Sequence, residues 1–383
     1  MSVTAPQGFR AAGVAAGLKS SGDPDVALVV NDGPDDAAAA VFTTNRFPAA
    51  PVLWSRQVLA GQRLRAVVLN SGGANACTGP EGFGDTHATA EHAGAALGLG
   101  AVDVAVASTG LIGVRLPMDR LTAGVTAAVD VLDADGGPDA ARAIMTTDTV
   151  PKTTVQQRNG WCVGGMAKGA GMLAPSLATM LVVLTTDARV EPGVLQAALA
   201  TATGLSFERV DSDGCLSTND TVLALANGAT GATPTPEELT EALTAACTDL
   251  AMQLLGDAEG STKDIAITVR GAASVADALT AGRACARNNL LKTALFGNDP
   301  NWGRVLAAIG TTDAAFEPDR VDVTINGVTV CRGGAIGDPR EGVDLTGRAI
   351  GIEVDLHAGD EQATIWTNDL SIAYVHENSA YST

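Results

Sequence analysis

The longest uninterrupted apolar, β-branched run in the middle of the chain is Thr179-Met180-Leu181-Val182-Val183-Leu184-Thr185-Thr186. Such a run, without polar alternation, predicts a strand buried on both faces, opening at Thr179. The segment before it is loaded with Gly164, Gly165, Gly169 and Gly171 and carries Pro175, which disfavours helix at Ala174, so a loop is predicted there. Further strands are expected over 26–30, 38–43, 66–69, 102–107, 221–226, 265–269, 321–325, 328–331, 350–356 and 363–367. Asn159-Gly160 and Asn326-Gly327 each sit between strand-like runs and predict hairpins, the first with a type I′ turn.

Helical periodicity is expected over 55–59, 85–97, 117–133, 139–145, 191–203 and 275–290. One further helix has explicit punctuation: Thr235-Pro236-Glu237-Glu238 is a capping box with proline at the first helical position. Leu239, Leu243, Ala246, Leu250 and Leu254 then trace one apolar face, and the helix ends near Gly256. Strands and helices interleave along the whole chain with no repeat and no long linker. The segments before and after Thr179 are therefore expected to share one core.

Composition narrows the class. With 46% hydrophobic residues over 383 positions the chain can bury one large core or two smaller ones. A formal charge of −19 argues against nucleic acid or an anionic membrane surface as partner. The start, Met1-Ser2-Val3-Thr4-Ala5-Pro6, lacks the basic and apolar regions of a signal peptide, and no apolar run reaches the ~20 residues of a membrane span, so a cytoplasmic location is expected. Six scattered cysteines without a C-x-x-C pair, and His87 and His92 five residues apart, predict neither a disulfide framework nor a metal site. Asp211-Ser212-Asp213-Gly214 lacks the rest of an EF-hand loop and reads as a polar turn.

Three readings of the central junction compete. Thr179 fits a plain β-branched residue opening a strand. It also fits a nucleophile of a particular kind: were it a chain terminus, its own α-amino group, with a reference pKa of about 7.7–8, would serve as general base for an otherwise weak hydroxyl. Finally, Gly169-Ala170-Gly171-Met172-Leu173-Ala174 formally matches the G-x-G-x-x-A turn of a dinucleotide fold, although Pro175 and a strand-like run follow where a helix should open. That third reading predicts an intact chain that binds NAD or ATP.

Long segments bear on the choice. GGMAKGAGMLAPSLATML (164–181) resembles the self-cleavage segment of the ornithine acetyltransferase family, the bifunctional glutamate N-acetyltransferases of arginine biosynthesis. The likeness extends to AVVLNSGGANACTG (66–79), VASTGLIG (106–113), IMTTDTVPK (144–152), RVDSDGCLSTNDT (209–221), GDAEGSTKDI (256–265), ARNNLLKTALFGNDPNWGRVLAAIG (286–310) and the terminal WTNDLSIAYVHENSAYST, nearly the whole chain. The resemblance implies an α/β fold of stacked mixed β-sheets flanked by helices, similar in its chemistry to N-terminal-nucleophile enzymes.

It further implies a cut between Ala178 and Thr179, giving an α chain of residues 1–178 and a β chain of residues 179–383 that stay associated as an α2β2 heterotetramer, both halves building the site. Thr179 would carry an acetyl group from N2-acetyl-L-ornithine to L-glutamate, with Thr109 and Gly110 as the oxyanion hole. Thr146, Lys168, Thr179, Glu259, Asn378 and Thr383 match the family's substrate contacts. Lys168 suits a carboxylate and Glu259 an ammonium; read on charge alone, both are solvated loop residues. Neither metal nor bound cofactor is implied. Some members also accept acetyl-CoA as donor, and no short basic, phosphate-holding motif decides that here. The rival within the same chemistry is an N-terminal-nucleophile aminopeptidase or amidase, with water in place of glutamate.

Overall fold

The computed structural model describes residues 2–172 and 180–380. Ala178, Thr179 and Thr383 therefore lie outside the described residues. Three mixed sheets organise the rest. The first orders Phe9–Val14, Val26–Asn31, Ala66–Asn70 and Val104–Ser108, the last two parallel. The second orders Ala37–Phe42, Thr221–Ala226, Leu181–Thr186, Trp161–Lys168 and Lys152–Arg158, with the Leu181 and Thr221 strands parallel. Its strands come from both sides of position 179.

These two sheets stack face to face. Phe9, Ala27, Val29, Leu69 and Ala105 of the first meet Ala38, Met166, Leu181, Val183 and Leu223 of the second in one buried layer. The outer face of the second sheet, including Val182, Leu184 and Val222, packs on helices Pro192–Leu205 and Pro236–Gly256. The outer face of the first packs on Ala50–Val58, Gly79–Leu97 and Met118–Asp130. A four-layer helix–sheet–sheet–helix arrangement leaves no wet face for the central strands, which is why Leu181–Thr186 is apolar without alternation and wholly buried. The third sheet, six strands from Ala335–Ile336 to Glu361–Asn368, covers only one face with helices Val275–Ala286, Asn289–Phe296 and Trp302–Ile309. Its Ala349–Asp355 strand accordingly alternates exposed and buried positions.

Several expectations are corrected. The glycine-rich stretch is strand through Lys168, not loop: a Cβ on Gly164 would sit 2.3 Å from the Ser2 carbonyl oxygen, and one on Gly165 2.8 Å from Leu184 Cδ2. Those glycines serve close approach rather than a turn. The 159–160 hairpin forms, but only Gly160 has positive φ, so its turn is not type I′; Asn326 and Gly327 both do, as that turn requires. The helix expected over 275–290 breaks at Arg287, because Asn288 caps a second helix by accepting the Leu291 N–H. The capping box at Thr235 forms as expected. No helix among the described residues is long and apolar enough to cross a membrane.

Candidate active site

The sheet-to-sheet stacking brings several strand ends to one place. Thr109 and Gly110 follow Val104–Ser108 in the first sheet, and Lys168 ends Trp161–Lys168 in the second. Thr146 follows the helix Gly137–Ala143, Glu259 follows Pro236–Gly256, and Asn378 lies on the terminal helix Ile372–Ala380. These six, far apart in sequence, line one cavity. All described members of the residue set expected from the resemblance are thus brought together.

Local packing fixes each group. Gly110 adopts φ +126°, and a Cβ there would sit 2.8 Å from the Gly73 nitrogen, so only glycine permits this approach. The Gly73 N–H donates to the Thr109 carbonyl at 3.0 Å and the Thr109 N–H to the Asn70 carbonyl at 2.9 Å. Asn219 Nδ2 braces the same corner by donating to the Ala74 and Ser108 carbonyls at 2.6 and 2.8 Å. Gly72-Gly73 backs the Thr109-Gly110 pair.

Lys168 is no solvated charge: it is 2% exposed, and Nζ donates to Thr109 Oγ1 at 3.3 Å. Burial lowers its pKa, with Asp148 the largest opposing influence and Asp220 and Glu259 adding to it. Glu259 is placed by its backbone N–H, which donates to the Ala170 carbonyl at 2.9 Å. Its carboxylate lies where a side chain on Gly171 would be, 2.6 Å from that Cβ position. This acidic wall beside Gly169-Ala170-Gly171 repels phosphate, which counts against the dinucleotide reading; Leu173 and Ala174 of that formal match lie outside the described residues.

Asp148 was not anticipated from sequence, although it lies in the matched segment 144–152. Its Oδ1 accepts from Lys152 Nζ at 2.6 Å and from the Gly169 N–H at 2.7 Å, and Oδ2 from the Thr146 N–H at 3.0 Å. Lys152, fully buried, also donates to Asp257 at 2.5 Å, just before Glu259. One carboxylate therefore ties together three walls of the cavity. Burial opposes its charge, yet Lys168, Lys152 and the Gly169 N–H together hold the Asp148 carboxyl below the usual range.

A depressed carboxylate contributes stability that is fully present above its unfolded pKa of ~3.9 and is lost as pH falls through the folded value. Asp148→Asn is accordingly expected to cost roughly 3 kcal/mol at neutral pH. In thermal melts the gap to the parent protein should narrow only under strongly acidic conditions.

A cavity that unites a buried lysine, a threonine hydroxyl, a glycine corner and a carboxylate suits a small ligand that carries both an anionic and a cationic group. The chain belongs to the ArgJ family, whose sequence profile matches residues 10–383. It is 64% identical over 382 residues to the arginine biosynthesis bifunctional protein ArgJ of Streptomyces coelicolor, covering 100% of both chains. It is 65% identical over 382 residues to that of Streptomyces avermitilis, again covering 100% of each. Among solved structures it is similar to the ornithine acetyltransferase of Mycobacterium tuberculosis complexed with ornithine, with 62% identity and a TM-score of 0.45, covering 47% of this chain and 96% of that one.

Proposed function

We propose that the protein transfers the acetyl group of N2-acetyl-L-ornithine to L-glutamate through an acetyl ester on Thr179, after cutting its own chain between Ala178 and Thr179. The observation that carries this reading is the convergence of Thr109, Gly110, Thr146, Lys168, Glu259 and Asn378 on one cavity, with Met180, the neighbour of Thr179, at the head of the adjacent strand. Ornithine bound to an acetyltransferase 62% identical to this chain supports the substrate class.

In the uncut chain the Thr179 hydroxyl attacks the Ala178 carbonyl, the acyl group shifts from nitrogen to oxygen, and water hydrolyses the ester. The free amine then takes the hydroxyl proton as the oxygen adds to the acetyl carbonyl. The Thr109 hydroxyl and Gly110 N–H receive the oxyanion, and collapse expels ornithine, whose nitrogen takes the proton back. Glutamate's amine repeats the addition on the ester and leaves as N-acetylglutamate. Lys168 and Glu259 supply opposite charges for the zwitterionic partners. The two chains stay together because the second sheet draws strands from both, and an α2β2 assembly is part of the same proposal.

The test separates transfer from hydrolysis. With N-acetylornithine alone, the β chain should become one acetyl group heavier by mass spectrometry. Adding glutamate should discharge it, suppress free acetate and yield N-acetylglutamate. Acetate release that glutamate leaves unchanged would instead identify an amidase. Acetyl-CoA supplied in place of N-acetylornithine reads the second donor in the same assay.

A further inference from the structure

Seven aspartates are buried among the described residues: Asp25, Asp85, Asp148, Asp187, Asp211, Asp220 and Asp369. Six have a donor on each carboxylate oxygen. Asp25, for example, accepts the Ala16 N–H on Oδ1 and the Leu18 and Lys19 N–H groups on Oδ2. Asp187 accepts Cys162 and Gln7 N–H groups, and Asp211 accepts Gly214 N–H and Arg287 Nε. Asp85 is gripped through both oxygens by Arg115, Asp148 is shared as described above, and Asp369 takes Thr262 and Lys263. Asp220 differs. Its Oδ1 accepts the Met180 N–H at 3.1 Å, but no described residue donates to Oδ2 within hydrogen-bond geometry, although Asp220 is 0% exposed.

A buried carboxyl oxygen without a partner is costly and calls for an explanation. Its position offers one. Asp220 heads the strand beside Leu181–Thr186, its carbonyl accepts the Thr43 N–H, and the Thr221 N–H donates to Met180. Residue 179 is the chain neighbour of Met180, whose N–H Asp220 already binds.

We propose that Asp220 is the counter-charge and positioning residue for the α-amino group of Thr179: one oxygen holds Met180, and the other receives the ammonium created when the chain is cut. This rests on the self-cleavage reading given above. Before the cut, residue 179 has a neutral amide nitrogen, and burial raises the pKa of Asp220 well above the usual range despite the opposing Met180 N–H, Lys168 and Ser217 hydroxyl. The cut supplies a cation one residue away. Among the described residues, the titratable groups facing Asp220 are Lys168, at the end of the strand beyond Leu181–Thr186, and the thiol of Cys215. The buried ammonium of Lys168 would by itself press the new amine toward too low a basicity, and an ionised Asp220 raises it again to where a general base is useful.

Asp220→Asn keeps an acceptor for the Met180 N–H and removes the charge, which makes it the informative variant. In the two-chain protein the acidic limb of kcat/KM for N-acetylornithine reports the free amine, and it should move to lower pH by about one unit or more. Asp220→Glu should return it toward the parent value. Where transfer is too slow to follow, trace labelling of the Thr179 amine with acetic anhydride across pH reads the same pKa. If the variant fails to cut itself, co-expression of residues 1–178 with a chain whose initiator Met precedes Thr179, and is trimmed, supplies the same terminus. A limb unmoved in a folded Asp220→Asn protein, even one with a lowered melting temperature, overturns the proposal and leaves a structural aspartate. An uncut parent protein would instead remove the self-cleavage reading itself, which a denaturing gel of that protein shows independently.

Discussion

Thr179→Ala is expected to leave a single chain of 383 residues, where the parent protein is expected to give fragments of 178 and 383 − 178 = 205 residues. Acetyl transfer should fall by roughly 10^4-fold or more, because the substitution removes nucleophile and base together. Neither loss can be repaired elsewhere: without the hydroxyl the Ala178 carbonyl is not attacked, so the nitrogen stays in an amide with no basic lone pair. Thr179→Ser keeps the hydroxyl and should still cut and transfer, more slowly. N-terminal sequencing of the smaller-numbered and larger-numbered fragments, with a thermal melt to establish that the alanine variant is folded, checks this. A Thr179→Ala chain that is still cut before residue 179, or that transfers at the parent rate uncut, would end the N-terminal-nucleophile mechanism for this protein.

The central strands were legible because burial on two faces removes polar alternation altogether. Thr221–Ala226, for instance, reads as a continuous apolar run for the same reason that Leu181–Thr186 does. Phe9–Val14 escaped the same reading: its sequence, FRAAGV, has two alanines and a glycine, and pairing with Val26–Asn31 rather than its own propensity makes it a strand. Gly164 and Gly165 misled in the opposite direction, since glycine that admits a neighbour's backbone looks, in one dimension, like glycine that permits a turn.

The site shows a similar division. Residue types alone would leave Lys168 and Glu259 as solvated charges. It is the stacking of two sheets, a long-range event, that buries Lys168 behind Thr109 and brings Glu259 from the end of a helix against Gly171. Asp148 and Asp220 were invisible for the same reason. Each sits in a short polar stretch, Thr146-Thr147-Asp148-Thr149 or Ser217-Thr218-Asn219-Asp220, where an acidic residue is ordinary, and only three-dimensional partners, or the lack of one, make them notable.

Thr109→Val should lower kcat for acetyl transfer about 10^2- to 10^3-fold with little change in KM. The reason lies in proton bookkeeping at one oxygen. A hydroxyl has one hydrogen to give and two lone pairs to receive. Lys168, which has only donors, already occupies a lone pair of Thr109 Oγ1. The Thr109 hydrogen is therefore free to point at an acceptor, and the ammonium behind it makes that hydrogen more acidic. As negative charge develops on the acetyl oxygen this donor strengthens, so its loss is felt in the transition state rather than in substrate binding. Valine nearly conserves volume at a position 1% exposed but strips Lys168 of an acceptor, at a cost to stability of ~1–3 kcal/mol. Thr109→Ser, which retains the hydroxyl and smaller bulk, controls for that and should stay within about tenfold of the parent kcat. Steady-state kinetics on both variants decides the role. A raised KM with kcat intact would make Thr109 a wall of the substrate pocket, leaving the oxyanion to the Gly110 N–H alone.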